Sequence, residues 1–287
     1  MAKYIHLHTN TESFNESDDI IKPNVTFIEN SNTVLYNKYS KSVLEQIPLT
    51  FRFISDGTFE ITAANTNGLV FDMKYEHIRY GETLANTNIN INLLPLTINV
   101  QYGDEIMLTT RTTGNVFSYN GWRNEHVNIG GTAKSIMYGN FCSIVTPSYT
   151  TVAGTVSSSL MFKRLFQNYV GLDIDENNFT FGKLTDITSQ YAFQDCFKGC
   201  VSLSNFPLLP FTTLQPHMYE GMFEGCKNLK KIAATFTTDI TDTDLYTKNW
   251  LKDVSPEGIF LKSRYATWEN RGQNGIPSNW NVGKYID

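Results

Sequence analysis

Asp173, Asp175 and Asn177 stand at alternate positions in the run Asp173-Ile174-Asp175-Glu176-Asn177-Asn178. That is the spacing at which a calcium loop supplies its first three side-chain oxygens. The match stops there. The sixth position is Asn178, where such a loop needs glycine for its turn, and the twelfth is Leu184, where it needs a bidentate glutamate. The run is therefore expected to be a solvated acidic loop. His6 and His8 flank one residue, so a strand would set both imidazoles on one side and a threefold axis would gather three such pairs around one ion. A plain polar leader is the simpler reading. Hydrolysis would need paired carboxylates in a cleft, or a nucleophile beside a base. Asp239, Asp242 and Asp244 lie in a threonine-rich stretch, and His77, His126 and His217 fall in strand-like or repeated text. Neither a glycine-rich phosphate loop nor a nucleophile elbow is present. The expectation is a protein that is not an enzyme, with no catalytic residues, no cofactor and no resident metal.

The residues that carry more information repeat. Phe193-Gln194-Asp195-Cys196-Phe197-Lys198-Gly199-Cys200-Val201-Ser202-Leu203 returns as Tyr219-Glu220-Gly221-Met222-Phe223-Glu224-Gly225-Cys226-Lys227-Asn228-Leu229, 26 residues later. A worn copy precedes them, with Phe166 opposite Phe197 and Leu172 opposite Leu203, 31 residues earlier. Fixed periods of about 20 to 50 residues belong to stacked units that cannot bury their apolar side alone. The aromatic, Cys or Met, and Phe positions at i, i+3 and i+4 predict a helical turn or short helix in each unit, followed by an extended segment. Cys196, Cys200 and Cys226 sit at repeat positions and Cys142 lies outside them. All four are expected to be buried thiols rather than a disulfide or zinc set.

Composition frames these units. Charged residues are 18% of the 287 and the net charge is −5, so no basic footprint for nucleic acid or anionic lipid exists. Asn and Thr fill about a fifth of the chain, beside 19 Phe and 15 Tyr, a mix suited to strands and turns. No stretch approaches the ~18 apolar residues of a membrane helix, and the first residues carry no signal-peptide core. A soluble chain made in the cytoplasm, without membrane insertion, is expected.

The expected fold is mainly β with some α, in three parts. Residues 1–45 form an N-terminal docking leader, in which Val25-Thr26-Phe27 and Val34-Leu35-Tyr36 pair as a hairpin around Glu29-Asn30-Ser31-Asn32. Residues 46–148 form an immunoglobulin-like β-sandwich. Leu49 to Phe53 alternates, Asp56-Gly57 signals a hairpin, and further strands follow at Met73–Arg79, Leu96–Val100, Glu105–Thr110 and His126–Ile129. Residues 149–287 form the short repeat solenoid and a C-terminal cap holding three of the four tryptophans, Trp250, Trp268 and Trp280.

Cys196-Phe197-Lys198-Gly199-Cys200 and Met222-Phe223-Glu224-Gly225-Cys226, with Phe206 to Thr212 between them, resemble BspA-type leucine-rich repeats. The segment from Ala234 through Asn249-Trp250, Gly258-Ile259-Phe260-Leu261 and Asn274 to Trp280 resembles the usual ending of such proteins in gut Bacteroidales and their phages. Ser135 to Phe141 resembles the joint between a sandwich and the repeats, and Val34-Leu35-Tyr36-Asn37-Lys38-Tyr39 resembles the leader of virion proteins in crAss-like phages. The resemblance implies a head fibre or similar appendage on the virion, assembled in the host cytoplasm. Its leader would dock on a capsid or tail protein through Phe14, Val25, Phe27, Val34 and Tyr36, and its repeats would meet a host-surface glycan or protein. A homotrimer is expected, because cyclic symmetry multiplies weak contacts by effective concentration. A bacterial surface adhesin and a glycan-degrading appendage are the alternatives.

Overall fold

The computed structural model describes residues 25–27, 34–36, 39–64, 69, 71–112, 118–119, 125–151, 154–156, 161–240 and 243–285. It is mainly β. The strands are β1 (Val25–Phe27), β2 (Val34–Tyr36), β3 (Leu49–Phe53), β4 (Gly57–Ala64), β5 (Asp72–Arg79), β6 (Glu82–Asn90), β7 (Leu96–Val100), β8 (Glu105–Thr110) and β9 (Ser118–Tyr119). They continue with β10 (Glu125–Gly131), β11 (Ser135–Asn140), β12 (Gly154–Val156), β13 (Leu172–Thr180), β14 (Leu184–Ile187), β15 (Asn205–Leu209), β16 (Lys231–Ala234), β17 (Ile259–Ser263) and β18 (Asn281–Tyr285). Helices α1 (Lys41–Leu44) and α2 (Thr243–Tyr246) are single turns.

Period-2 alternation builds the first body. β3 buries Leu49, Phe51 and Phe53 and turns Arg52 outward, while β8 buries Ile106 and Leu108. β3 and β8 lie in a six-stranded sheet of order β13-β11-β3-β8-β5-β6, which faces a four-stranded sheet of order β7-β4-β10-β9. Phe59 of β4 closes the layer between them, its ring 5.0 Å from Phe51 and 5.7 Å from Phe53. The hairpin expected at Asp56-Gly57 is absent: β3 pairs with β8 and β11, β4 with β7 and β10. The turn there is an arch between sheets, held because Asp56 Oδ1 accepts the Tyr102 N–H at 2.8 Å.

The repeats form a second body in which the expected helices do not occur. Their phrases run as successive tight turns. The N–H of Leu165 bonds to the C=O of Phe162, Tyr169 to Phe166, Cys196 to Phe193, Cys200 to Phe197, Met222 to Tyr219 and Cys226 to Phe223, at 3.0–3.2 Å. The third residue of each turn has a positive φ: Arg164 60°, Asn168 63°, Asp195 54°, Gly199 75°, Gly221 62° and Gly225 77°. Turns of this class require it. A right-handed helix cannot take a left-handed residue at every fourth position.

The alternate N–H groups reach the next rung. Phe162, Arg164, Phe166 and Asn168 donate to the carbonyls of Ala192, Gln194, Cys196 and Lys198 at 2.7–3.0 Å, and Phe193, Asp195, Phe197 and Gly199 repeat the pattern onto Met218, Glu220, Met222 and Glu224. Gly221, Phe223 and Gly225 carry it onto Lys248, Trp250 and Lys252. Equivalent side chains therefore stack. One column runs Phe162–Phe193–Tyr219–Trp250, with ring centroids 5.1, 6.0 and 6.0 Å apart. A second runs Phe166–Phe197–Phe223 at 5.1 and 5.8 Å. Such ring pairs add roughly 0.5–1.5 kcal/mol each beyond their burial. On the other side β15, β16, β17 and β18 form a parallel sheet in which Phe206, Ile232, Phe260 and Val282 are in register.

The start of this stack joins the first body, and its far end is packed with tryptophan. At the start, β13 joins the six-stranded sheet by pairing parallel to β11, so sheet structure crosses the boundary drawn at residue 148. Asn128 Nδ2 donates to the carbonyls of Arg164 and Gln167 at 2.9 and 3.1 Å, and Phe51 meets Phe166 at 6.0 Å. At the far end Trp250, Trp268 and Trp280 are buried, and their indole N–H groups donate to the carbonyls of Gly275, Phe236 and Ser255. One continuous apolar core runs from Leu49 to Trp280.

Candidate functional site

Residues 39–49 are held against the rest of the chain by a series of polar contacts. Tyr39 N–H donates to Oδ1 of buried Asn178 at 2.8 Å. Asn178 in turn donates from Nδ2 to Asp175 at 2.9 Å. This contact exists because β13 bulges: Met137 pairs with Ile174 and Gly139 with Phe179, which leaves Asp175 to Asn178 standing off the ladder. Downstream, Ser40 caps α1 through a bond from the Val43 N–H, and Asn140 Nδ2 donates to the Glu45 carbonyl at 2.7 Å. Tyr149 Oη donates to the Gln46 carbonyl and the Leu49 N–H to Ser143 Oγ, at 2.8 and 2.9 Å. Residues 39–49 are thus stapled to the body by four side chains, Asn140, Ser143, Tyr149 and Asn178.

Tyr39 also reaches a charged cluster on the outer face of the six-stranded sheet. Arg52 on β3 donates from Nε to Glu105 on β8 at 2.7 Å, the Tyr138 hydroxyl donates to the same carboxylate at 2.9 Å, and the guanidinium lies 5.0 Å from the Tyr138 ring centre. Burial pushes the Tyr39 hydroxyl up to about 12, with Arg52 opposing, and holds the Tyr138 hydroxyl well above its ordinary range. Both phenols therefore stay neutral at physiological pH, Tyr138 donating to Glu105. The arrangement anchors; it offers no ionised nucleophile.

The five docking residues fall differently. Phe14 lies outside the described residues. Val25 pairs with Tyr36 and Phe27 with Val34 in an antiparallel ladder. The hairpin expected there is the one observed.

The other candidates are engaged within the fold. Asp173, expected in a loop, lies on β13 and accepts from the Ser204 N–H and hydroxyl, both at 3.0 Å, and from the Ile174 N–H. Burial raises its carboxyl above the usual range. Glu176 pairs with Lys231 at 2.8 Å. Among the described residues no group of three or more His, Cys, Asp or Glu side chains is placed to hold a metal ion. His77 bonds to buried Asp104 at 2.8 Å, and His217 to Glu220 at 2.8 Å while stacking on Tyr191. His6, His8 and Asp242 lie outside the described residues. The four cysteines are buried thiols, and burial pushes those of Cys196, Cys200 and Cys226 upward, the last to about 12. These three stay protonated at neutral pH.

Two surfaces of the repeat stack complete the description. The turn side carries a line of alternating charge, Arg164–Asp195–Lys198–Glu224–Lys252, with Lys198 2.8 Å from Glu224 and the other steps at 3.4–3.6 Å. Burial alone would raise the Glu224 carboxyl, but Lys198 and Lys252 hold it below its ordinary range. On the strand side Leu208, Ala233, Leu261 and Gly283 form one row across the parallel sheet. The sequence gives no signal for Asn178 or Arg52 as anchor residues, because their partners lie 139 and 53 residues away. The chain matches no family model, no curated protein and no solved structure.

Proposed function

We propose that this protein is a non-enzymatic structural protein of a phage virion, a head fibre or similar surface appendage. In this reading residues 1–45 dock on a neighbouring capsid or tail protein through Val25, Phe27, Val34 and Tyr36. Residues 46–148 are an immunoglobulin-like sandwich, and residues 149–287 a BspA-like leucine-rich-repeat solenoid that meets a host-surface glycan or protein.

The observation that supports it is the stapling of residues 39–49 at one edge of a body with a single continuous core. A leader fixed at its root transmits attachment to the whole body, as an appendage requires. The parallel sheet supports the second half, since stacked rungs present an extended surface. The test is immunogold electron microscopy of purified particles, using antibody raised against residues 39–285. Labelled particle surfaces are expected. Label on the host cell envelope and none on particles would overturn the reading in favour of an adhesin.

A further inference from the structure

β6 is the outermost strand of the six-stranded sheet, and among the described residues β5 is its sole strand partner. It is nine residues long and exposed along nearly its whole length. Native edges of that length are normally blunted by Lys, Pro or inward-facing charge, because unpaired N–H and C=O groups are a template for another strand. β6 has no Lys or Pro, and its one formal charge is Glu82. Of the devices that blunt an edge it carries a single bulge at Leu84, between the pairs His77–Ala85 and Ile78–Thr83, which leaves Ala85 to Asn90 regular.

Exposed apolar side chains gather on the same edge. Tyr80, Leu84 and Leu93 are 73%, 50% and 53% exposed. Tyr80 makes the point most sharply. It forms a two-residue hairpin turn with Gly81, and both have positive φ, 51° and 83°. Asn suits the first position of such a turn, whereas a bulky residue is strained there by roughly 1–2 kcal/mol. Tyr80 accepts that strain and buries little of its ring within its own chain.

We propose that the β6 edge pairs antiparallel with β6 of a second copy of this chain, joining two six-stranded sheets into one. The strand is self-complementary about Asn86. Ala85 then faces Thr87 of the partner strand, and beyond the bulge at Leu84, which shifts the ladder by one residue, Thr83 faces Asn88 and Glu82 faces Ile89. No like charges oppose each other, whereas a parallel in-register pair would set Glu82 on Glu82. The same register carries Tyr80 alongside the segment containing Asn92 and Leu93 of the other copy, at both ends of the strand pair. Three exposed apolar side chains per copy thereby gain cover, and Tyr80 gains a contact that offsets its backbone strain. Such an interface is isologous and closes at two copies, where the sequence reading expected three.

The test is sedimentation velocity of the full chain over a concentration series, beside Asn86→Lys and Tyr80→Asn. Wild type is expected as a dimer of 32.6 kDa chains. Asn86 is exposed, so Asn86→Lys leaves the thermal midpoint of the monomer unchanged, yet sets two ammonium groups on the axis and weakens the dimer about tenfold or more. Mixing Asn86→Lys with Asn86→Glu restores a heterodimer. Tyr80→Asn weakens the dimer without loss of folding stability. A wild-type monomer at high micromolar concentration, a trimer, or a dimer indifferent to Asn86→Lys would overturn the proposal.

Discussion

Replacing Gly225 with alanine separates the turn stack from a helix by the sign of the effect. In a helix the change would stabilise the protein by about 0.5–1 kcal/mol, since alanine is the better helix former and restricts the unfolded chain. In the observed rung Gly225 sits at φ 77°, and a Cβ there meets nothing nearer than Gly199 backbone atoms at 3.8 Å, an ordinary contact. The backbone term therefore stands alone, a loss of about 1–2 kcal/mol, or about 2–8 °C in thermal midpoint for a chain of this size. Gly199→Ala is expected to cost more, because its Cβ would run into the Asn168 side chain on the preceding rung. Gly225→Asn is expected to cost less than Gly225→Ala, since Asn enters the left-handed region readily and Asn168 occupies the equivalent place at φ 63°. Urea unfolding followed by circular dichroism gives the three midpoints at constant slope. A Gly225→Ala protein as stable as wild type, or more stable, would refute the turn-stack account.

Three further outcomes are expected. Burial would raise the Asp104 carboxyl, but Arg79 at 2.7 and 2.8 Å, the Gln101 N–H and His77 hold it below its ordinary value. Its stabilising contribution is thus complete above about pH 4 and lost as pH falls through the depressed value; Asp104→Asn should remove that part of the acid limb and cost about 3 kcal/mol at neutral pH, read by urea unfolding across pH. The four thiols should resist a disulfide reagent in the native protein at neutral pH and all react once urea unfolds it; rapid native labelling of Cys200 or Cys226 would contradict their burial. Asn178→Ala should cost about 1 kcal/mol by removing its hydrogen bonds with half-buried Tyr39 and Asp175, and should speed proteolysis between residues 39 and 47; an unchanged cleavage pattern would show that this segment is held elsewhere.

The repeated phrase made the stacking legible from the chain alone, as Phe166, Phe197 and Phe223 do occupy equivalent rungs. The conformation inside each rung was not legible. Phe and Cys at i, i+3 and i+4 mimic a helical stripe, and half of the six left-handed positions are filled by Arg164, Asn168 and Asp195 rather than glycine. β6 escaped notice because Asn86, Asn88 and Asn90 alternate where strands usually carry β-branched or aromatic residues, and its core contact rests on Ile89. Asp173 to Asn178 read as a loop because a bulge interrupts β13 in the middle of its acidic run. The anchor at Asn178 depends on a contact between residues 139 apart, which no local pattern encodes.

Incorporation into particles tests the attachment reading most directly. Host cells infected with a phage deleted for this gene would supply either the full chain or residues 39–287 in trans, with the mass spectrum of the purified virions as the readout. The account predicts that the full chain is recovered in particles, while the truncated chain accumulates folded in the lysate and stays out of them. Equal recovery of both chains in particles, or absence of the full chain from them, would contradict it.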